Sequence, residues 1–295
     1  MTSRTTANIT HINEISSSHL YSSFQQLNIR YEEQHKLQWC FINPTPNPCF
    51  NTIVLSELNT MLEQLKAEAS SNPERVKYHA FSSELSGIFN TGGDLSLFKQ
   101  YILSKNREAL AQYGYACIGA IHHSCTLHQS GITEIAVVQG DALGGGFECV
   151  LSADVIIAEK SAKMGFPEVL FNLFPGMGAY SFLSRKLTPI QAEKMIISGK
   201  LYSAEELYEL GVVDMVVEDS HGETAVYDYI QKEDRSRNTL QSIRKVKDRC
   251  NPIAWEELKD IVDIWVESAL KLGKKDLRMM ERLMCKQKGS FSNYA

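Results

Sequence analysis

The sequence lacks the features that mark membrane-spanning, secreted and disulfide-rich proteins. None of its 295 residues lies in an apolar run of about 18, so no segment is expected to span a membrane. The first residues, MTSRTTANITHINEISSSHLYSS, contain no apolar stretch of the kind found in secretory signals. The seven cysteines are odd in number and include no C-x-x-C pair, so we expect free thiols in a reducing, cytoplasmic compartment.

Several functional classes lack their sequence signals as well. With 30 Lys and Arg against 35 Asp and Glu, the net charge is −5, so a nucleic-acid partner is not expected. No G-x-S-x-G is present, which disfavours a serine hydrolase. The G-x-G at 176–178 lacks the third glycine of a dinucleotide fingerprint. A cluster of metal-capable side chains fits no zinc spacing, so we expect no metal: His122, His123, Cys125 and His128.

The order of strand-like and helix-like segments predicts an α/β fold. Hydrophobic residues make up 43% of the chain and charged residues 22%, as is usual for globular proteins. Strand and helix patterns alternate to about residue 220, and only helical patterns follow. We therefore expect an α/β core over 25–220 and a helical C-terminal region over 221–295. Residues 1–24, rich in Ser, Thr and Asn, are expected to form a flexible polar tail.

Three glycines interrupt the junction between a strand and a helix in GDALGGGFE, residues 140–148. Glycines allow a ligand to approach the backbone closely, and the first N–H groups of a helix have no acceptor within it. Such N–H groups can stabilise an oxyanion, and Glu148 falls in the first turn of the same helix. Alternatively, the segment is a flexible turn whose acidic residue only complements the helix dipole.

Two further segments could supply chemistry to the same place. GIFNTGGDL at 87–95 also joins a strand to a helix and could offer a second backbone donor, although Asp94 could equally be a helix N-cap. In MGFPEVL at 164–170, Glu168 follows a proline within an apolar stretch. Burial there would raise the pKa of its carboxyl and allow it to transfer a proton. The alternative is a surface glutamate at the start of a helix.

Together, the three segments resemble the crotonase (enoyl-CoA hydratase/isomerase) superfamily over about residues 26–220. FNTGGDL and ALGGGFE match its two oxyanion-hole segments, and G-F-P-E at 165–168 matches its second glutamate. The resemblance implies a spiral of ββα units followed by a helical C-terminal region. It also implies Glu148 and Glu168 as the catalytic pair, the N–H groups of Gly93 and Gly145 as the oxyanion hole, and no cofactor. A homo-oligomer, trimer or hexamer, is expected on the same basis.

Within that superfamily the chain is most similar to the diffusible-signal-factor synthases. Three strings carry this similarity: FNTGGDLSLF, FPEVLFNLFPGMGAYSFLSRKL and IWVESALKLGKKDLRMMERL. The similarity implies dehydration of a 3-hydroxyacyl thioester on acyl carrier protein, followed by thioester hydrolysis that releases a cis-2-unsaturated fatty acid used in quorum sensing. The expected substrate-binding residues, some of which could instead be ordinary core, are Asp94, Gly144, Phe171, Leu173, Met177, Trp265 and Leu277.

Two other functions remain open from the sequence. One is an enoyl-CoA hydratase of fatty acid metabolism, which would act on CoA-bound acyl groups. The other is a crotonase-like scaffold that binds a signalling protein, since synthases of this branch are thought to be restrained by the receiver domain of a sensor kinase. The presence of both Glu148 and Glu168 argues against a purely structural role.

Overall fold

The computed structural model describes residues 24–292, so the tail expected at 1–24 lies outside the described residues except for Phe24. The strands are β1 (Leu27–Glu32), β2 (Leu37–Ile42), β3 (Tyr78–Ser83), β4 (Gly87–Asn90), β5 (Thr133–Val138), β6 (Gly140–Leu143), β7 (Val155–Glu159), β8 (Lys163–Gly165), β9 (Leu201–Ser203) and β10 (Met215–Val217). The helices are α1 (Thr52–Ser71), α2 (Leu95–Leu103), α3 (Arg107–Cys125), α4 (Gly145–Leu151), α5 (Ala179–Lys186), α6 (Pro189–Ser198), α7 (Ala204–Glu209), α8 (Gly222–Asp234), α9 (Arg237–Cys250), α10 (Trp255–Ala269) and α11 (Lys274–Ser292).

The strands form two sheets that share a repeating connection. The six-stranded sheet has the order β1-β2-β3-β5-β7-β10, and the four-stranded sheet has the order β4-β6-β8-β9. Each of the pairs β3–β4, β5–β6 and β7–β8 places its first strand in the larger sheet and its second in the smaller one. A helix follows each pair, which confirms the expected spiral of ββα units. The two short alternating runs in LNIRYEEQHKLQWCFIN, residues 27–43, predict a hairpin, and β1 indeed pairs antiparallel with β2.

The central strands are buried on both faces, which explains their apolar sequences. Every residue of β5 and β7 is buried, as is usual for parallel strands covered on two sides. One face contacts the main core, and Ile135 and Val137 on the other face pack against Val226 and Ile230 of α8. The first helix beyond residue 220 therefore covers the sheet. The division of the chain at about that residue stays a prediction.

A side-chain hydrogen bond fixes how α1 and α3 pack together. The Nδ2 of Asn59 on α1 donates to the carbonyl of Leu55 at 2.7 Å and to that of Ala116 on α3 at 2.9 Å. Gly119 faces the same side chain, and a Cβ there would lie 2.5 Å from the Asn59 Oδ1. The two helices are thus held at close range by a specific contact.

Some element boundaries differ from those that the sequence pattern predicts. The sequence pattern predicts helical structure from Leu95 to about Gly119, and the structure divides it into two helices: α2 ends at Leu103, Lys105 adopts a positive φ of 53°, and Asn106 caps α3. Asn251-Pro252 predicts the start of a long helix, but that helix begins at Trp255. No helix within residues 24–292 is long and apolar enough to cross a membrane.

Candidate active site

Two backbone N–H groups lie side by side where the smaller sheet meets two helices. Gly93 precedes α2, and Gly145 is the first residue of α4, where an N–H has no acceptor within the helix. A Cβ built on Gly145 would lie 3.5 Å from the Gly93 nitrogen. Gly92 allows the two loops to approach, because its φ is +93° and a Cβ there would be 2.8 Å from the carbonyl oxygen of Leu143. Both N–H groups can donate to one oxygen atom.

Glu148 lies in the first turn of α4 and is almost fully buried. Its Oε1 accepts the N–H of Met177 at 2.7 Å and that of Ala179 at 3.0 Å. Burial raises the pKa of this carboxyl to about 7, although the two N–H donors favour its ionised form. The side chain is therefore held in one orientation and titrates near neutral pH.

Glu168 comes from a short 3₁₀ helix, Pro167–Phe171, that follows β8. Its carboxylate lies against Gly144, where a Cβ would be 2.1 Å from Oε1, so only glycine leaves room for it. The buried Oε2 has no hydrogen-bond partner among the described residues. Burial, and then the charge of Glu148, raise the pKa of Glu168 to about 8. The Glu168 carboxyl therefore stays protonated to a higher pH than the Glu148 carboxyl.

A cavity of about 270 Å³ brings most of the expected site residues together. Both glutamates and the two glycines expected to form the oxyanion hole line it, and four of the expected substrate-binding residues do so too: Phe171, Leu173, Met177 and Trp265. Its wall is mostly apolar, and its polar groups include the two carboxyls and the hydroxyls of Thr91 and Tyr113. An acyl group bound there would lie between two N–H donors and two titratable carboxyls.

Three expected substrate-binding residues lie outside the wall of that cavity. Asp94 is the N-cap of α2, where its Oδ1 accepts the N–H groups of Ser96 and Leu97, both at 3.0 Å. Leu277 is buried in the main core at the start of α11. Gly144 lies directly against the carboxylate of Glu168. The sequence could not separate these positions from cavity positions, because neither a motif nor helical spacing shows which side chains face a cavity.

Sequence reasoning missed one side of the cavity entirely. This side comes from α1, α3 and α4: Leu55, Leu58, Tyr113, Cys117, Ala120, Ile121 and Cys149. The sequence places Ile53, Leu55, Leu58, Met61, Leu62 and Leu65 at helical spacing, which predicts a helix with one apolar face. Periodicity alone cannot tell whether such a face meets another helix or a cavity.

The predicted cluster of metal-capable side chains does not gather around one point; its members are His122, His123 and Cys125 on α3 and His128 in the 3₁₀ turn that follows. His122 packs edge-on against Trp255, with ring centroids 5.8 Å apart, whereas the Nε2 of His123 lies 3.4 Å from the Oε1 of Glu63. Within the described part of the chain, no group of three or more His, Cys, Asp or Glu could hold a metal ion.

The family model described as enoyl-CoA hydratase/isomerase matches residues 38–251. The chain belongs to the enoyl-CoA hydratase/isomerase family. A curated relative, the fatty acid oxidation complex subunit alpha of Pseudomonas savastanoi pv. phaseolicola, is 33% identical over 183 residues. That match spans 62% of this chain but only 24% of the relative's length.

Solved structures confirm the fold expected for this enoyl-CoA hydratase/isomerase family member. Human mitochondrial delta3-delta2-enoyl-CoA isomerase superposes with a TM-score of 0.74 at 18% identity, covering 90% of this chain and 99% of that one. Pseudomonas aeruginosa DspI superposes with a TM-score of 0.67 at 23% identity, covering 82% of this chain and 98% of that one. At these identities the likeness concerns the fold alone.

Proposed function

We propose that the protein catalyses the reversible addition of water across the C2–C3 double bond of an acyl thioester. The observation that carries this proposal is the convergence of two buried glutamates and two backbone N–H groups on one apolar cavity. Membership of the enoyl-CoA hydratase/isomerase family supports a thioester substrate. The name of the matched fatty acid oxidation subunit is consistent with a fatty acyl chain.

The two N–H groups act on the thioester carbonyl. Its oxygen accepts hydrogen bonds from Gly93 and Gly145, and negative charge develops on that oxygen as the enolate forms. Donors that are already in place stabilise this charge without reorganising. The positive end of α4 points at the same atom, because Gly145 is the first residue of that helix.

The two glutamates divide the proton transfers. In hydration, the Glu148 carboxylate takes a proton from the water that attacks C3, and the neutral Glu168 carboxyl gives its proton to C2. In dehydration, the Glu168 carboxylate removes the C2 proton and the Glu148 carboxyl protonates the departing hydroxyl. The hydrogen bonds to Glu148 and the unpartnered Oε2 of Glu168 favour the protonation states that hydration needs.

Amide variants of the two carboxyls test this function. Glu148→Gln and Glu168→Gln should each lower kcat for hydration of an enoyl-CoA by about 10²-fold or more, with thermal unfolding retained. Glu193→Gln, an exposed position on α6, is the matched control. Near-normal turnover by either active-site variant would reject the assignment.

We further propose the narrower activity of a diffusible-signal-factor synthase. All three segments similar to those synthases contribute to the cavity wall, which favours this activity. The first contributes Thr91, Gly93, Leu95 and Phe98, the second includes Glu168 and Met177, and the third contributes Trp265 and Leu283. After dehydration to a cis-2-enoyl group, water would attack the thioester carbonyl. The C–S bond then breaks, giving a free carboxylic acid and the carrier thiol. Exposed Lys271, Lys274 and Lys275 offer charge complementarity to an acidic carrier protein.

Product analysis separates the synthase from a plain hydratase. The same 3-hydroxyacyl chain is presented on acyl carrier protein and on CoA, and products are identified by mass spectrometry. A free cis-2-unsaturated acid from the carrier-bound substrate supports the synthase. Interconversion of hydroxyacyl and enoyl thioesters without any free acid rejects it and leaves the hydratase in place.

Partners of the whole protein follow from the same family resemblance. We propose a cytoplasmic trimer or hexamer that also binds the receiver domain of a sensor kinase. Ile243 and Val246 on α9 are 57% and 62% exposed, and contact between subunits would cover them. Light scattering after gel filtration measures the oligomer, and a monomer at working concentrations would contradict the proposed trimer or hexamer.

Calorimetric titration with a receiver domain tests the second partner, and the absence of any heat of binding would count against that partner.

A further inference from the structure

One wall of the cavity follows one face of α3. Four residues of this helix line it at positions i, i+4, i+7 and i+8: Tyr113, Cys117, Ala120 and Ile121. Eight residues of helix rise about 12 Å, so this stretch is two turns long. Tyr113 marks the reactive end, because its hydroxyl accepts the N–H of Asp94, the neighbour of Gly93, at 3.2 Å. Ile121 marks the far end. We call this stretch the α3 channel.

The opposite wall of the α3 channel is held in place. Leu55 and Leu58 of α1 line it, and both are buried. The bond between Asn59 and the backbone of Ala116, together with the close approach of Gly119, fixes α1 against α3. Because these helices cannot slide without losing that contact, the side chains between them set the free volume.

The far part of the α3 channel offers an occupant almost nothing but apolar surface. Apart from the Tyr113 hydroxyl, the α1 and α3 residues of the lining present aliphatic side chains and the thiol of Cys117, and Cys149 on α4 adds a second thiol. Burial raises the pKa of both thiols far above the usual value, so they remain uncharged. A charged or strongly polar group would have no partner there, whereas an alkyl chain would need none.

We infer that the α3 channel holds the alkyl chain of the acyl thioester and that Ala120 sets the longest chain accepted. The inference rests on the proposed function for the identity of the substrate. Ala120 has the smallest side chain on the channel face of α3, so it leaves the space into which the chain extends. A short acyl group would leave the far half empty and gain nothing from it. The substrate class is therefore a medium or long acyl chain.

Two alanines on α3 provide the test variant and its matched control. Ala120 lines the channel, whereas Ala111 is equally buried on the same helix but lies outside the cavity wall. The measurement is kcat/KM for thioesters from crotonyl to tetradecenoyl. Ala120→Leu should lower the long-to-short ratio of kcat/KM by about tenfold or more, since even one methylene changes discrimination that much. Ala111→Leu should leave the ratio as it is. An unchanged ratio in folded Ala120→Leu overturns the inference.

A binding measurement tests the α3 channel independently of catalysis. Saturated fatty acids of increasing length are titrated calorimetrically into the wild type, Ala120→Val and Ala111→Val; the milder valine serves if leucine prevents folding. If the longest fatty acid that binds becomes shorter only in Ala120→Val, the result supports the channel. If no thioester is turned over at the same time, the proposed function is rejected but the channel is not. Equal affinity changes at every chain length in both variants would overturn the channel and leave the hydratase activity standing.

Discussion

At the scale of single residues, the site depends on two identical carboxyls that differ in their surroundings. Glu148 receives two backbone N–H groups, whereas the Oε2 of Glu168 receives none from the described residues. Burial raises both pKa values towards neutrality, and the charge of Glu148 raises that of Glu168 further. Because the groups interact, their protons are lost in steps that belong to the pair.

The pair should produce a narrow bell-shaped pH profile for hydration. Activity requires an ionised Glu148 and a neutral Glu168, so kcat/KM should fall below about pH 7 and again above about pH 8. Initial rates in buffers of constant ionic strength measure the profile. In Glu168→Gln the residual activity should lose its alkaline limb, because an amide does not titrate. A flat profile between about pH 5 and pH 10 would contradict the assignment.

The N–H of Gly145 can be removed with little expected damage to the fold. This residue opens α4, and proline is tolerated at the first position of a helix. Gly145→Pro deletes the donor and should lower kcat by about 10²-fold or more. Gly145→Ala keeps the N–H, and its Cβ would meet its nearest neighbours at an ordinary 3.5 Å, so its loss should be far smaller. If proline and alanine cost the same, the oxyanion donor lies elsewhere.

At the scale of secondary structure elements, sequence signals were reliable where a side chain bonds a backbone group only a few residues away. The spacing of Ser203 and Glu206 predicts a capping box, and in the structure the side chain of each bonds the backbone N–H of the other at the start of α7. The short strands of the smaller sheet were not predicted as strands. β6 and β8 have only four and three residues, and their pairing with neighbours distant in sequence makes them strands.

The contrast between local sequence signals and contacts distant in sequence also explains which site residues could be predicted. Glu148 and Glu168 lie in glycine- and proline-containing junctions whose composition is unusual, so a motif reveals them. Ala120 lies within an ordinary helix, and only the tertiary arrangement shows that it faces a cavity. Asp94 illustrates the opposite case, because a residue in a motif turns out to cap a helix.

Asp94 tests whether a motif residue supports a helix or binds substrate. Asp94→Ala removes the cap of α2 and should cost about 1 kcal/mol of unfolding free energy, as measured in urea. KM should stay within about twofold, because the side chain lies outside the cavity wall. Asp94→Asn retains a capping oxygen and should restore most of the stability. A raised KM with unchanged stability would show that Asp94 contacts substrate.

At the scale of the whole molecule, the site is assembled from parts that the ββα spiral brings together. Gly93 follows β4, Gly145 follows β6, and Glu168 follows β8, three adjacent strands of one sheet. Trp265 then closes the cavity from α10. Alternation of strands and helices predicted the α/β class, but the resemblance to crotonases was needed to predict this convergence. Spacing alone does not specify which strands become neighbours.

Assembling two carboxyls in this interior makes the stability of the whole fold depend on pH. The pKa values of Glu148 and Glu168 are raised on folding, so the folded protein binds more protons than the unfolded chain between about pH 4.5 and pH 8. Unfolding free energy should therefore fall as pH rises through that window and level off above it.

The double variant Glu148→Gln/Glu168→Gln should remove this dependence, because amides stay neutral at every pH. Its unfolding free energy relative to the wild type should improve by at least about 1 kcal/mol between about pH 5 and pH 9, measured by urea denaturation. Any constant offset from altered hydrogen bonds cancels in that comparison. Glu193→Gln, at an exposed position, should follow the wild type throughout. A double variant that runs parallel to the wild type would mean that the two carboxyls are ionised in the folded protein, and that neither is available as the proton donor that hydration needs.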